Sequence, residues 1–131
     1  MLQQAHSYRL FVGIDVSART CTVVSKRAGD NPSPALTIDQ TPAGFIELRR
    51  HLLVLESDST AILVVMEATG TYWMRLALPR IGAQIAVSVV NPTQAHDFAK
   101  TLLKRSETDA IDAQMLSELA ARLQPQSTPR P

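Results

Sequence analysis

Residues 60–66, TAILVVM, constrain the fold more than any other stretch of the chain. Apolar side chains fill both alternating sets of positions, so a strand built from them shows hydrophobic surface on both of its faces. Such a strand belongs at the centre of a sheet covered on both sides, as parallel strands are in layered α/β domains.

The flanking segments extend this picture. Residues 10–16, LFVGIDV, are apolar and β-branched and read as a buried strand. After a short turn at 17–19, residues 20–26, TCTVVSK, read as a second strand. Ala28-Gly29-Asp30-Asn31-Pro32 is a strong turn signal, and 35–39 makes a short third strand. These three form an antiparallel meander. Thr41-Pro42 is a helix start, with Thr as cap and Pro in the first turn. Phe45, Leu48, Leu52 and Leu55 follow at helical spacing, and 57–59 break the helix. Beyond 60–66 come a helix over about 71–80, ended or kinked by Pro79, a stop at Gly82 and a buried strand at 84–90. Asn91-Pro92 repeats the cap-plus-proline device ahead of a stripe of Ala95, Phe98, Ala99 and Leu102. A last helix runs from about 109 to 123, with Ile111, Met115, Leu119 and Leu123 on one face. The order β-β-β-α-β-α-β-α-α gives an α/β fold, a mixed five-stranded sheet with helices on both faces, which is what an RNase H-like (RuvC-like) fold requires. A doubly wound nucleotide fold would alternate from the beginning.

Composition sets the outer bounds. At 131 residues, 45% hydrophobic and 19% charged, the sequence suits one soluble globular domain. The expected division is a leader over 1–9, a domain over 10–123 and a proline-rich tail over 124–131. The longest apolar run, 61–66, is far short of the ~20 residues of a membrane span, and residues 1–9 have no signal-like apolar core. Cys21 is the only cysteine, which excludes an internal disulfide and a cysteine-based zinc site. A cytoplasmic protein without a membrane partner is the natural reading. The net charge of +1, from 13 basic and 12 acidic side chains, does not by itself announce a nucleic-acid binder. Any such role rests on where the charges lie.

Four acids stand out by position. Asp15 sits at the carboxyl end of the first strand, and Glu67 immediately follows the fourth. If those strands are central neighbours, both carboxylates emerge at the edge where ligand sites of open α/β sheets gather. Asp109 and Asp112, three apart at a helix start, project from one side of it. Clustered carboxylates repel one another unless a cation sits between them. Hard oxygen donors suit Mg²⁺ or Mn²⁺, the ions of phosphodiester chemistry. Three of these acids also have a plain structural reading: Asp15 as a turn or cap residue, and Asp109 and Asp112 as partners of a helix dipole.

Three blocks carry a family likeness: GIDVS at 13–17, MEATGTYW at 66–73 and VNPTQAHDFAKTLLKRSETDAIDAQML at 90–116. Together they resemble the DEDD-class insertion-sequence transposases, a guide-RNA-directed family with an N-terminal RuvC-like domain. The likeness spans about residues 10–123, and the third block is its most specific part. It implies that Asp15, Glu67, Asp109 and Asp112 bind Mg²⁺ or Mn²⁺ for DNA strand cleavage and exchange during transposition. It implies DNA as partner, with guide RNA and homo-oligomerisation in a full-length protein, and a bacterial, nucleoid-associated location. Lys100, Lys104 and Arg105 just precede the helical aspartates and read either as phosphate-backbone contacts or as a solvated polar face. Thr69, Gly70 and Tyr72 would shape the site, and Tyr72 and Trp73 either stack on bases or pack as a buried helix start. His6, His51 and His96 show no metal-site spacing.

Family members continue into a second domain that carries a serine nucleophile, which this sequence lacks. One alternative is therefore a truncated, catalytically silent fragment that binds DNA or RNA. Another is an ATP-binding domain of the actin, Hsp70 and sugar-kinase type. That class places a glycine-containing phosphate turn after the first-strand Asp, where this sequence has Val16-Ser17.

Overall fold

The computed structural model describes residues 8–17, 19–67, 81–82, 84–90, 97–98 and 109–125, without the side chains of 109–112. Its backbone is set by five strands: β1 (Leu10–Val16), β2 (Thr20–Arg27), β3 (Leu36–Asp39), β4 (Ile62–Glu67) and β5 (Ala86–Val90). They form one sheet in the order β3-β2-β1-β4-β5. β1, β2 and β3 pair antiparallel, whereas β4 and β5 join β1 in parallel register. The expected meander and the mixed five-stranded sheet are both present.

The doubly apolar β4 lies between β1 and β5, as its sequence demands. Ile62, Val64 and Met66 enter one core and Leu63 and Val65 the other, all 0–1% exposed. Residues 60 and 61, expected as the start of this strand, instead belong to a short 3₁₀ turn over Ser59–Ala61, because Asp58 accepts from the Thr60 amide and caps it.

Helix α1 (Pro42–Leu55) covers the first face. Thr41 is its cap, in extended conformation, and its Oγ1 accepts from the Gly44 amide at 3.0 Å. Phe45, Leu48 and Leu52 are buried against Val12, Ile14, Val64 and Met66. Leu55, expected on the same stripe, is 37% exposed, since the helix ends there and the chain turns away at Glu56. Helix α2 (Asp109–Leu123) covers the second face, beside Phe11, Leu63, Val65 and Val90. Its buried side chains are Ala113, Leu116, Ser117, Leu119 and Ala120. This corrects the expected stripe: Leu123 is 53% exposed and Met115 only half-buried. Leu119 is buried as expected, together with Leu116, but near Gly13 the helix lies so close to the sheet that the small Ala113 and Ser117 face it.

Below the amino ends of the strands, Glu56 accepts both guanidinium arms of Arg9, at 3.1 and 2.9 Å, and a third bond from Arg27 at 3.2 Å. Arg27 also donates to the Leu55 carbonyl. These bonds, the Arg9 pair first and then the Asp58 amide, hold the Glu56 carboxyl at about 2. Among the described residues, no helix is long and apolar enough to cross a membrane. The expected helix over about 71–80 and the Asn91-Pro92 helix start lie outside the described residues.

Candidate functional site

The strand ladders fix two of the four acids. Asp15 is the penultimate residue of β1 and pairs with Thr22 of β2. Glu67 lies inside β4 as its last residue rather than after it, because the ladder to β5 continues through Glu67↔Val90. The parallel β1–β4 register runs from Leu10↔Ile62 to Ile14↔Met66. Asp15 and Glu67 are thus the next residues of two adjacent strands, level with each other at the carboxyl edge. Phe11, Leu63 and Val65 share the core under α2, so the two-residue alternation sends Asp15 and Glu67 to that same face. Both are half-buried. Neighbouring strands stand about 4.8 Å apart, so the two acids rise from the same edge one ladder spacing from each other.

The helix on this face approaches β1 at Gly13. A Cβ there would lie 2.1 Å from the Ala113 carbonyl oxygen and 2.3 Å from the Ser117 nitrogen. Lower on β1, Phe11 packs with Leu116, Leu119 and Ala120. α2 therefore descends antiparallel to β1. From Gly13 to Asp15 the strand climbs about 6.6 Å, which matches about four residues of helix at 1.5 Å each. One turn before Ala113 is Asp109, so the first turn of α2 stands at the carboxyl edge beside Asp15 and Glu67. Asp109 and Asp112 are both helical, but their side chains lie outside the described residues. So do Lys100, Lys104, Arg105, Thr69, Gly70, Tyr72 and Trp73. Among the described residues, no group of three or more His, Cys, Asp or Glu side chains could hold a metal ion.

The turn beyond Asp15 is firmly tied. The Ser17 amide and hydroxyl both donate to the Thr20 carbonyl at 2.9 Å. The Gln40 side-chain amide donates to the Ser17 carbonyl at 2.5 Å, and the Gln40 backbone amide to the Arg19 carbonyl at 2.8 Å. The hairpin tip is thereby anchored to the start of α1.

The model of the DEDD transposases of the IS110 type, described as Transposase, matches residues 12–131. The chain belongs to this transposase family. It is similar to the pilin gene-inverting proteins of Moraxella bovis and Moraxella lacunata, 32% identical to each over 120 residues. Each match covers 89% of this chain and 36% of the relative, so the chain spans about a third of their length. Its fold is similar to that of T. thermophilus RuvC in complex with a Holliday junction substrate, at a TM-score of 0.57 and 11% identity. That match covers 88% of this chain and 96% of the RuvC chain. The fold is RNase H-like, of the RuvC kind.

Two features of this transposase-family chain escaped the sequence reading. One is the close approach at Gly13, whose signal is a glycine inside an otherwise apolar strand. The other is the bond from Lys26 Nζ to Glu118 at 2.9 Å, which ties α2 to β2 with side chains only 10% and 19% exposed. Nothing in sequence spacing links those two residues. Cys21, which pairs with Val16 across the β1–β2 ladder, is buried, and its thiol is pushed up to about 11 by burial and then by the Asp15 charge. It stays protonated at neutral pH and is a poor metal ligand.

Proposed function

We propose that this chain is the acid-bearing catalytic part of a transposase that cleaves and exchanges DNA strands with divalent metal. In this reading Asp15, Glu67, Asp109 and Asp112 hold Mg²⁺ or Mn²⁺. The observation that carries it is the register: Asp15 and Glu67 stand level on adjacent parallel strands, and the first turn of α2 reaches the same edge. The donor set fits such an ion: all four are carboxylates, and Asp15 and Glu67 are half-buried. When bound, the metal lowers the pKa of an attacking hydroxyl or water and offsets charge on the leaving oxygen.

The chain's own residues hold the donors in place. β1 and β4 set two carboxylates one ladder spacing apart, and the apolar core beneath them excludes water from below. Lys100, Lys104 and Arg105, just ahead of α2, would meet the phosphate backbone of DNA. The RuvC neighbour, in complex with a Holliday junction substrate, supports DNA as partner. Guide RNA, homo-oligomerisation and a place beside the bacterial nucleoid complete the proposal for a longer protein.

Titration of the wild type and of Glu67→Ala with Mn²⁺, by calorimetry and thermal shift, tests the site. Saturable binding that raises Tm in the wild type and disappears in the variant is the expected result. No saturable binding in either protein removes the reading. Incubation with branched, single-stranded and duplex DNA plus Mn²⁺ then tests cleavage, with product expected from the wild type and none from Asp15→Ala. A second reading is DNA or RNA binding without cleavage. A retarded DNA band with no product in either protein would select it.

A further inference from the structure

We propose that Gly13 is a positioning residue for the metal-binding carboxylates: its missing Cβ sets how closely α2, with positions 109 and 112, approaches Asp15 and Glu67. The inference rests on the function proposed above. A glycine in the middle of a strand loses packing and adds chain entropy, so its place in β1 calls for a reason. The reason is visible across the interface. α2 presents Ala113 and Ser117, both 0% exposed, and lays its backbone directly on the strand. The Ser117 hydroxyl is satisfied within the helix by the Gln114 carbonyl at 2.7 Å, so it makes no demand on the sheet. The Lys26–Glu118 pair then fixes the helix's rotation from the β2 side.

Gly13 sits two strand residues below Asp15, and Ala113 one helical turn below Asp109. A shift at this contact therefore reaches the carboxyl edge almost undiminished. An added methyl group would stand 2.1 Å from the Ala113 oxygen and 2.8 Å from the Leu116 carbonyl carbon, both of them backbone atoms that cannot swing aside. The helix would have to retreat by about 1 Å to restore ordinary contact. Mg²⁺ demands oxygen ligands near 2.0–2.1 Å, so a retreat of that size would carry positions 109 and 112 out of reach of an ion that Asp15 and Glu67 would hold.

The test is Mn²⁺ affinity by calorimetry on the 131-residue chain. The comparison includes wild type, Gly13→Ala, Leu119→Ala and Lys26→Met. Gly13→Ala is expected to bind about 10–100-fold more weakly, the usual cost of losing a group that orients metal ligands. Leu119→Ala loosens the same interface farther from the edge and is expected to keep the wild-type affinity. Lys26→Met, which keeps the strand intact should Gly13→Ala fail to fold, is expected to lose about threefold to tenfold. Removing a positive charge would by itself favour a cation, so a loss there reports geometry. Wild-type affinity in Gly13→Ala or, if that protein does not fold, in Lys26→Met overturns the inference and leaves the proposed function standing. A loss in Leu119→Ala equal to that in Gly13→Ala also overturns it. A wild type that binds no Mn²⁺ overturns both.

Discussion

The two faces of the sheet are packed by different rules. On one, α1 inserts Phe45, Leu48 and Leu52 among Val12, Ile14, Val64 and Met66, so bulk meets bulk. On the other, α2 turns Ala113, Ser117 and Ala120 towards β1, and backbone meets backbone at Gly13. Large interdigitated side chains maximise the area taken from water. Small ones give up area for a fixed and short distance. Asp15 and Glu67 lie on the second face, the one where distance is held most tightly. The difference teaches that one face supplies most of the stability and the other the geometry of the site.

The sharpest way to break that division is Phe45→Ala. It should cost about 3–5 kcal/mol in urea unfolding, with no change in Mn²⁺ affinity of the folded protein. A parallel fall in affinity would show that both faces set the site. Lys26→Met comes next, at about 1–3 kcal/mol for a half-buried charged hydrogen bond. Its partner Glu118 keeps a weaker contact with Arg122 at 3.8 Å, which limits the loss. Thr41→Ala removes the α1 cap and should cost about 1 kcal/mol in the same assay, again without effect on metal.

The smallest effect concerns acid. Glu56 falls from 4.5 to about 2 on folding, chiefly through its hydrogen bonds from Arg9 and the Asp58 amide. A depressed carboxyl stabilises the fold above its unfolded value, and that share is lost as pH drops from about 4.5 through about 2. Arg9 is 52% exposed, so solvent screens the pair and the contribution stays modest. Tm measured against pH should decline less steeply in Glu56→Gln over that interval. An unchanged slope would place the acid sensitivity elsewhere, the carboxyl edge included.

Much of the first face was legible in the sequence. Thr41-Pro42 announced α1, and the alternation of β4 announced a central strand, because caps and periodicity are local. The second face was harder to read. The extent of α2 was clear, but its buried stripe was partly misassigned, because the choice of Ala113 and Ser117 over Met115 and Leu123 is made by a glycine some hundred residues away. Asp15 and Glu67 could be picked out because strand ends are local features. Their level register, and the arrival of α2 beside them, are properties of the assembled sheet.

The parallel pairing of β1 with β4 also fixes a timetable. The β1–β2–β3 hairpins join neighbours in the chain and close at little entropic cost, whereas β4, and then α2, reach β1 from far along the sequence. The carboxyl edge is therefore expected to be among the last parts of the molecule to take shape. In stopped-flow kinetics, Leu119→Ala should speed unfolding more than it slows refolding, while Val23→Ala in the early hairpin should do the reverse. A nascent chain would thus hold its β1–β2–β3 meander while Asp15 and Glu67 are still apart.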